Sequence, residues 1–537
     1  MIQTYDTTLR DGQQREGVSL TVEDKVYLAT RLDVLGVDFI EGGYPASNHR
    51  DRLFFEQACS LDLRHATLVA FGTTLHKNAD AEHDESLALL TACPAPIVAL
   101  VGKAWTLQVA QVLETTCAEN LRMVSSSIAF LKRAGKRVFF DAEHFFDGYR
   151  EDAAYALEVL LVAAQAGAET LVLCDTNGGM LPHEVYAATT AAVAALEQAK
   201  LSQVRIGIHA HNDSGCGVAN SLEAVRAGAT QVQGTICGYG ERVGNADLLT
   251  CIADLQLKLG YDLIGPERLK LLTPTAHAVA ETFNIAFDAH LPYVGTSAFS
   301  HKGGLHASAA LREHGAYEHI DPHSVGNFSH IVVSELAGKA ALRAKAGDFE
   351  LPLPEEGATL QALLDTVKNK EDKGYSYEVA DASLELLLRD QMGEQVSYFG
   401  LESFRVIAER RADGIQSSEA TIKLRVGGER HIATAEGNGP VNALDAALRE
   451  AITRFYPQVK SFELSDYKVR VLDESSGTDA VIRTLIETSD GKTSWKTIGV
   501  SENVIEASWD ALVDAITYGL LKSGCDGEPR ERRTECA

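Results

Sequence analysis

Two histidines spaced two apart, His209 and His211, close a short apolar stretch that begins Ile206-Gly-Ile. In a strand, residues i and i+2 point to the same face. Both imidazoles can then reach one ion if that strand lines a barrel; otherwise they are two polar residues at a strand end. Five more polar clusters follow apolar runs in the same way: Asp6-Thr-Thr-Leu-Arg10-Asp11-Gly12-Gln-Gln14, Glu41-Gly-Gly-Tyr44-Pro-Ala-Ser-Asn48, Asp141-Ala-Glu143-His144, Asp175-Thr176-Asn177 and Gly238-Tyr-Gly240-Glu-Arg-Val-Gly244-Asn245. An aspartate, two histidines and an amide oxygen gathered at one place give mixed nitrogen and oxygen ligation. That set suits Zn²⁺, Mn²⁺ or, with added waters, Mg²⁺. Such an ion, with open positions, holds and polarises a 2-oxo acid. Singly, each cluster has a plainer reading: Arg10 and Asp11 as an ion pair at a barrel mouth, Glu143-His144 as a solvated loop, Gly238 to Gly244 as a flexible loop.

The elements that must position these residues are legible from periodicity. Strands are expected at Ile2–Tyr5, Val37–Glu41, Thr67–Phe71, Ile97–Val101, Val138–Asp141, Thr170–Cys174, Arg205–Ile208 and Gln231–Thr235. Amphipathic segments lie between them: Thr21–Leu35, where Thr21 and Asp24 form a capping-box pattern, Asp152–Gln165, Leu181–Gln198, and Asn220–Ala227 before Gly228. Eight strands alternating with helices, several of them unbroken Val/Ile/Leu runs, predict a (β/α)8 TIM barrel. An open doubly wound sheet is the alternative, although no Gly-x-Gly-x-x-Gly follows the first strand. All six polar clusters fall at the C-terminal ends of their strands, the face on which barrel enzymes build active sites.

The chain of 537 residues is too long for one core and should divide into two or three domains. Its net charge of −26 argues against wholesale binding of nucleic acid or an anionic membrane. The nine cysteines include no Cys-x-x-Cys pair and read as reduced thiols in a cytoplasmic enzyme. Chemistry begins near residue 4, which leaves no room for a cleaved signal, and no apolar run approaches the roughly 18 residues of a membrane helix.

Asp6-Thr-Thr-Leu-Arg-Asp-Gly-Gln-Gln, His209-Ala-His-Asn-Asp and Gly238-Tyr-Gly-Glu-Arg-Val-Gly-Asn resemble the signatures of the 2-isopropylmalate, homocitrate and citramalate synthase family. Glu41-Gly-Gly-Tyr-Pro-Ala-Ser-Asn and Phe140-Asp-Ala-Glu-His-Phe-Phe-Asp-Gly148 are most similar to the branch that takes pyruvate. The resemblance implies a Claisen-type acyl transfer: acetyl-CoA is deprotonated at its methyl, the enolate attacks the 2-oxo acid, and water hydrolyses the thioester. It implies that Asp11, His209, His211 and Asn245 hold a divalent metal, that Arg10 stabilises charge on the ketone oxygen, and that Thr176 hydrogen-bonds the substrate carboxylate. Glu143 is placed in proton transfer, and Glu41 and Tyr44 beside the substrate, with Leu100, Val101 and Tyr44 as candidates for the pocket wall. No residues binding the CoA moiety are read. In the Gly- and Ser-rich stretch after the barrel, Gly304-Leu-His306-Ala matches a linker histidine that enters the active site, often of a neighbouring subunit, and Tyr317 matches a catalytic tyrosine; a homodimer follows.

Beyond residue 400 the pattern βββα occurs twice: strands at Ser403–Glu409, Glu419–Val426 and His431–Ala435 with a helix at Val441–Tyr456, then Tyr467–Leu472, Val481–Glu487 and Ser494–Val500 with a helix at Glu502–Leu521. Pairing the copies would bury a shared core, and the helix N-termini would favour a carboxylate. By resemblance this is a regulatory domain for a pathway end product, isoleucine; a ligand-free dimerisation domain is the alternative. The expected organisation is a barrel at 1–285, linker subdomains contributing to the active site at 286–400, an α+β regulatory domain at 401–525 and a disordered tail at 526–537. A 2-isopropylmalate synthase taking 2-oxoisovalerate, a carbon–carbon lyase and a silent binding protein are the competing functions; lyases of this group generally lack the βββα repeat.

Overall fold

Runs such as Ile97-Val-Ala-Leu-Val and Thr170-Leu-Val-Leu-Cys are apolar on both faces, as strands sandwiched between a barrel interior and an outer helical layer must be. The computed structural model describes residues 2–58, 60–301, 314–331, 339–353, 358–394, 396–410, 412, 414, 416–472, 480–525 and 528–529. Eight parallel strands close a barrel: β1 (Gln3–Asp6), β2 (Phe39–Gly43), β3 (Thr67–Thr73), β4 (Ile97–Lys103), β5 (Arg137–Glu143), β6 (Thr170–Asp175), β7 (Arg205–Ala210) and β8 (Gln231–Gly234), with β8 pairing back onto β1. Several strands run two residues further than periodicity alone indicated, because the backbone ladder continues past the apolar run into polar residues or glycine, as at Lys103 opposite Glu143 and at Gly42-Gly43.

The interior is filled by Tyr5, Phe39, Val69, Phe71, Ile97, Ala99 and Phe139. Their strand neighbours, including Ile40, Ala70, Val98, Leu100 and Phe140, face outward and pack under the helices. This corrects one expectation: Leu100 cannot line a substrate pocket, because it alternates with the inward Ala99 and lies fully buried in the outer layer. The helix Val22–Leu35 starts on the Thr21–Asp24 capping box and stops at Gly36, whose φ of 94° is the left-handed conformation that ends helices.

Two compact units are resolved: Met1–Phe299 with Glu318–Ser329, and Ser300–Tyr317 with His330–Ala537. Thus Glu318–Ser329, expected in the linker, belongs with the barrel, where the Asn327 amide donates to the carbonyls of Tyr293 and Gly295, both at 2.9 Å.

In the second unit, short strands β9 (Ser300–His301) and β10 (His330–Ile331) pair, and helices follow at Lys339–Asp348, Ala358–Asp372 and Asp381–Gln391. Strand β11 (Val396–Ser397) precedes two antiparallel sheets. The first is β12 (Gly400–Arg410), β13 (Gln416–Val426) and β14 (Glu429–Gly437), followed by the helix Pro440–Thr453. The second is β15 (Glu463–Val471), β16 (Ile482–Ser489) and β17 (Ser494–Ser501), followed by the helix Val504–Lys522. The expected βββα repeat is therefore present. Ile422 and Leu424 of one copy and Ile486 and Trp495 of the other join a single cluster with Leu448, Ile452, Leu512 and Ile516. Within the expected tail, Glu528–Pro529 forms strand β18 against β11; the other residues of 526–537 lie outside those described. No helix among the described residues is long and apolar enough to cross a membrane.

Candidate active site

His209 is an inward residue of β7, and His211 lies two residues beyond it on the same face. Asp11 sits in the tight turn after β1, where its backbone N–H donates to the Thr7 carbonyl at 2.8 Å. The three converge: the His209 and His211 Nε2 atoms are 3.3 Å apart, and Asp11 Oδ2 lies 3.1 Å from the first and 3.8 Å from the second. One ligand atom from each of Asp11, His209 and His211 falls within 4.8 Å of the others, and all three residues are buried.

Asn245 completes the group, its Nδ2 lying 2.8 Å from Asp11 Oδ2 and 3.3 Å from His209 Nε2. It is fixed by the loop 238–245. A Cβ on Gly240 would lie 2.0 Å from Asn245 Oδ1, and one on Gly244, whose φ is 98°, would lie 1.9 Å from the Gly238 carbonyl oxygen. The glycine-rich motif is thus a close-packed cradle rather than a flexible loop.

The donor set fits a divalent cation. Asn245 Oδ1 and His211 Nδ1 are buried with no hydrogen-bond partner among the described residues. A half-turn of the Asn245 amide would exchange its nitrogen for that oxygen, and such exchange is a matter of hydrogen-bond assignment. His209 Nδ1 lies 3.0 Å from Gln233 Oε1, which leaves Nε2 as the free lone pair. Burial opposes ionisation of Asp11, but the Arg10 guanidinium and His209 outweigh it and hold the carboxyl well below its usual range. Burial likewise disfavours an imidazolium at His209, yet the neighbouring Asp11 carboxylate raises its pKa, whereas burial and the neighbouring His209 push His211 down to about 4.

Arg10 is held from three sides. Its Nε donates to Glu41 Oε2 at 2.5 Å, its Nη1 lies 3.2 Å from Asp11 Oδ1, and its guanidinium carbon stacks 4.3 Å from the Phe71 ring centre. Glu41 also accepts from the Tyr5 hydroxyl at 2.8 Å, so its two carboxylate oxygens are engaged by Arg10 and Tyr5. Tyr44 packs edge-on to Phe71, with its hydroxyl 3.1 Å from Thr73 Oγ1. The loop that carries it is anchored by a buried ion pair, Lys25 to Asp51 at 2.5 Å, with Asp51 accepting from the Tyr44 N–H at 2.8 Å.

On the other side of the mouth, Glu143 ends β5 in a close ion pair with Lys103. The Thr176 hydroxyl oxygen accepts from the His144 N–H at 2.8 Å, which leaves its own proton to donate. The Thr176 carbonyl accepts from Arg242 at 3.0 Å, and Arg242 in turn clasps Asp213 at 2.7 and 3.0 Å. Lys103 and Gln233 are residues of this mouth that sequence reasoning did not single out, and Asp141 and Arg242 lie inside clusters it quoted without giving them a role. Asp141 faces inward with Oδ1 buried and without a hydrogen-bond partner among the described residues, and burial together with Glu41 pushes its pKa up to about 7. His306 lies outside the described residues. Tyr317 belongs to the second unit, half-exposed, its ring centre 6.4 Å from that of His301.

Fold and site together define a (β/α)8 barrel enzyme with a buried Asp/His cluster able to hold a metal ion, Asn245 beside it, and an anchored arginine at the C-terminal mouth. Three family profiles match in order: HMGL-like over residues 1–268, homocitrate synthase post-HMGL domain-like over 293–375, and LeuA allosteric (dimerisation) domain over 378–520. The (R)-citramalate synthase of Aquifex aeolicus is 49% identical over 524 residues, covering 97% of this chain and 98% of that protein. The (R)-citramalate synthase of Streptomyces coelicolor is 50% identical over 522 residues, 97% of each chain. The 2-isopropylmalate synthase of Pyrococcus furiosus, by contrast, is 31% identical over 527 residues, covering 96% of this chain and 98% of that one. The chain belongs to the (R)-citramalate synthase family.

Proposed function

We propose that this chain condenses acetyl-CoA with pyruvate and hydrolyses the resulting thioester to give (R)-citramalate and CoA, a step toward isoleucine. The observation that carries the chemistry is the convergence of Asp11, His209 and His211 beside Arg10 at the barrel mouth. The choice of pyruvate rests on the 49–50% identity to citramalate synthases against 31% to an isopropylmalate synthase.

Asp11, His209, His211 and Asn245 would hold a divalent ion, Mg²⁺, Mn²⁺ or Zn²⁺, which when bound supplies positive charge to the carboxylate and ketone oxygens of the 2-oxo acid. Thr176 donates to the substrate carboxylate. Glu143 takes a proton from the acetyl methyl: the C–H bond breaks, an O–H bond forms on the carboxylate, and the electron pair becomes the enolate. The enolate carbon then bonds to the ketone carbon, and Arg10, oriented by Glu41, stabilises the alkoxide that forms on the ketone oxygen. The alkoxide takes up the proton that left the acetyl methyl and becomes the hydroxyl. Water then attacks the thioester carbonyl, the C–S bond breaks, one water proton goes to the CoA thiolate and the other leaves the new carboxyl, and citramalate is released. His306 and Tyr317 are assigned to the proton transfers that accompany this hydrolysis. Val101 and Tyr44 remain the candidate walls beside the small pyruvate methyl. The barrel is the catalytic domain, the C-terminal repeat binds isoleucine as effector and assembles a homodimer, and the enzyme works in the cytoplasm.

The test is CoA thiol release from acetyl-CoA with a panel of 2-oxo acids, with Mg²⁺ or Mn²⁺ and after chelation. Release with pyruvate, abolished by chelator and restored by metal, is expected. Preference for 2-oxoisovalerate would make the enzyme an isopropylmalate synthase, and no release with any 2-oxo acid would return the lyase reading.

A further inference from the structure

Lys103 and Glu143 are the last residues of β4 and β5 and stand directly opposite one another in the parallel ladder. Two-residue alternation from Ile97 and Ala99 on β4, and from Phe139 on β5, aims both side chains into the barrel mouth. The ammonium of Lys103 donates to Glu143 Oε2 in a close ion pair, and the two side chains are only 19% and 24% exposed. The pair sits on rigid backbone: the Lys103 carbonyl accepts from Asn120 Nδ2 at 2.9 Å, and the buried Asn120 amide also donates to the Tyr155 hydroxyl at 2.8 Å.

An ammonium has three N–H donors. One is committed to Glu143, and the others meet no acceptor among the described residues. We propose that Lys103 is a further catalytic residue: it holds Glu143 as the carboxylate and presents its remaining N–H donors to the thioester oxygen on which enolate charge develops. This rests on the assignment of Glu143 as the base.

The reason is charge bookkeeping across one step. Before proton transfer the negative charge facing Lys103 is on Glu143. When the acetyl C–H bond breaks and the proton moves to Glu143, the electron pair moves onto the thioester oxygen. The ammonium therefore faces one negative charge before and after, first through the N–H on the carboxylate and then through those on the enolate. A donor already in place where charge appears needs no reorganisation during the reaction.

Other groups around Glu143 do not substitute for it. Asp141, two residues back on β5, is a carboxyl with its pKa raised by burial, and Cys174 on β6 is a thiol raised the same way. His144, which follows on the loop, has its Nδ1 2.8 Å from Asp147 Oδ2, and that carboxylate also accepts from Asn177 at 3.0 Å. Lys103 is the cation paired with Glu143 among the described residues.

The experiment compares Lys103→Met, Lys103→Gln, Lys103→Arg and Glu143→Gln in the full chain. It follows the pH dependence of kcat/KM for CoA release, loss of tritium from the acetyl-CoA methyl, and Mn²⁺ binding by calorimetry. Lys103→Met and Lys103→Gln should lower kcat and tritium release together, by about 10²–10³-fold, with Mn²⁺ affinity unchanged. They should also change the shape of the pH profile of kcat/KM, as Glu143 loses its paired cation. Lys103→Arg should restore activity to within about tenfold and return the parent profile. If both neutral variants keep turnover and tritium release within about threefold and the parent pH profile while Glu143→Gln is inactive, Lys103 has no catalytic role. If Glu143→Gln itself keeps full turnover, the assignment of the base falls and this proposal with it.

Discussion

His209 is oriented by amides rather than by a carboxylate. Gln233 Oε1 can only accept a hydrogen bond, so Nδ1 carries the proton and Nε2 presents its lone pair toward Asp11. Gln233 is held in turn by its own donation to Gln231 Oε1 at 3.1 Å. Replacing Gln233 with Leu removes the group that fixes this tautomer, and Mn²⁺ affinity should fall about 10–100-fold. Calorimetry of the purified variant checks this, and unchanged affinity would show that Gln233 is only filler. A second residue-scale consequence concerns stability. Burial pushes Asp6 up from 3.8 to about 7, only partly offset by the hydrogen bonds it accepts from Thr8. The folded state therefore holds this proton more tightly than the unfolded chain does. The contribution is fully present below the unfolded pKa and is lost as pH rises toward 7, with a slope of at most about 1.4 kcal/mol per pH unit. Urea midpoints measured between pH 4 and 7 should fall for the parent relative to Asp6→Asn; parallel curves would mean Asp6 is already ionised in the fold.

At the scale of elements, the loop 238–245 sets Asn245 by close approach of backbone, so a single methyl group is enough to disturb it. In Gly240→Ala the new Cβ collides with Asn245 Oδ1. A displacement of about 1 Å at a reacting geometry costs on the order of 10²-fold in turnover, so kcat should drop by that order while circular dichroism keeps the barrel signature. Native turnover in Gly240→Ala would argue that Asn245 is not a ligand. The strands and helices around this loop were legible because period-two apolar runs and caps such as Thr21–Asp24 are local signals. His209 and His211 were legible because an i, i+2 pair at a strand end carries chemistry on its own, whereas Asp11 was reached only through the resemblance of its motif to those of the synthase family. Lys103 and Gln233 were not, since a single Lys or Gln has no spacing to read and its role depends on a strand partner distant in sequence, Glu143 for one and His209 for the other. Counting by twos from Ile97 would have placed Lys103 inward and Leu100 outward. Strand register, which no single strand encodes, supplies the rest.

Across the whole chain, the barrel holds the cluster of Asp11, His209 and His211, and the βββα pair lies in the other compact unit. The two copies are alike in fold and unlike at their helix ends. Asn503 caps the second helix, its side chain accepting from the Ile505 N–H at 2.8 Å. The first helix begins at Pro440 after Gly439, which has no side chain to cap it. The first helix end therefore keeps more unpaired N–H groups for a carboxylate than the second, so the two halves of the repeat should not bind an amino acid equally. Titrating the full chain with isoleucine in a calorimeter should give saturable heat at millimolar ligand or below, with leucine weaker, and isoleucine should reduce CoA release from acetyl-CoA and pyruvate. Removing the residues after 400 should abolish the isoleucine response. Absence of heat from either amino acid, with turnover intact, would leave the repeat as a dimerisation module, and truncation would then appear as a change in assembly size by light scattering rather than as lost inhibition.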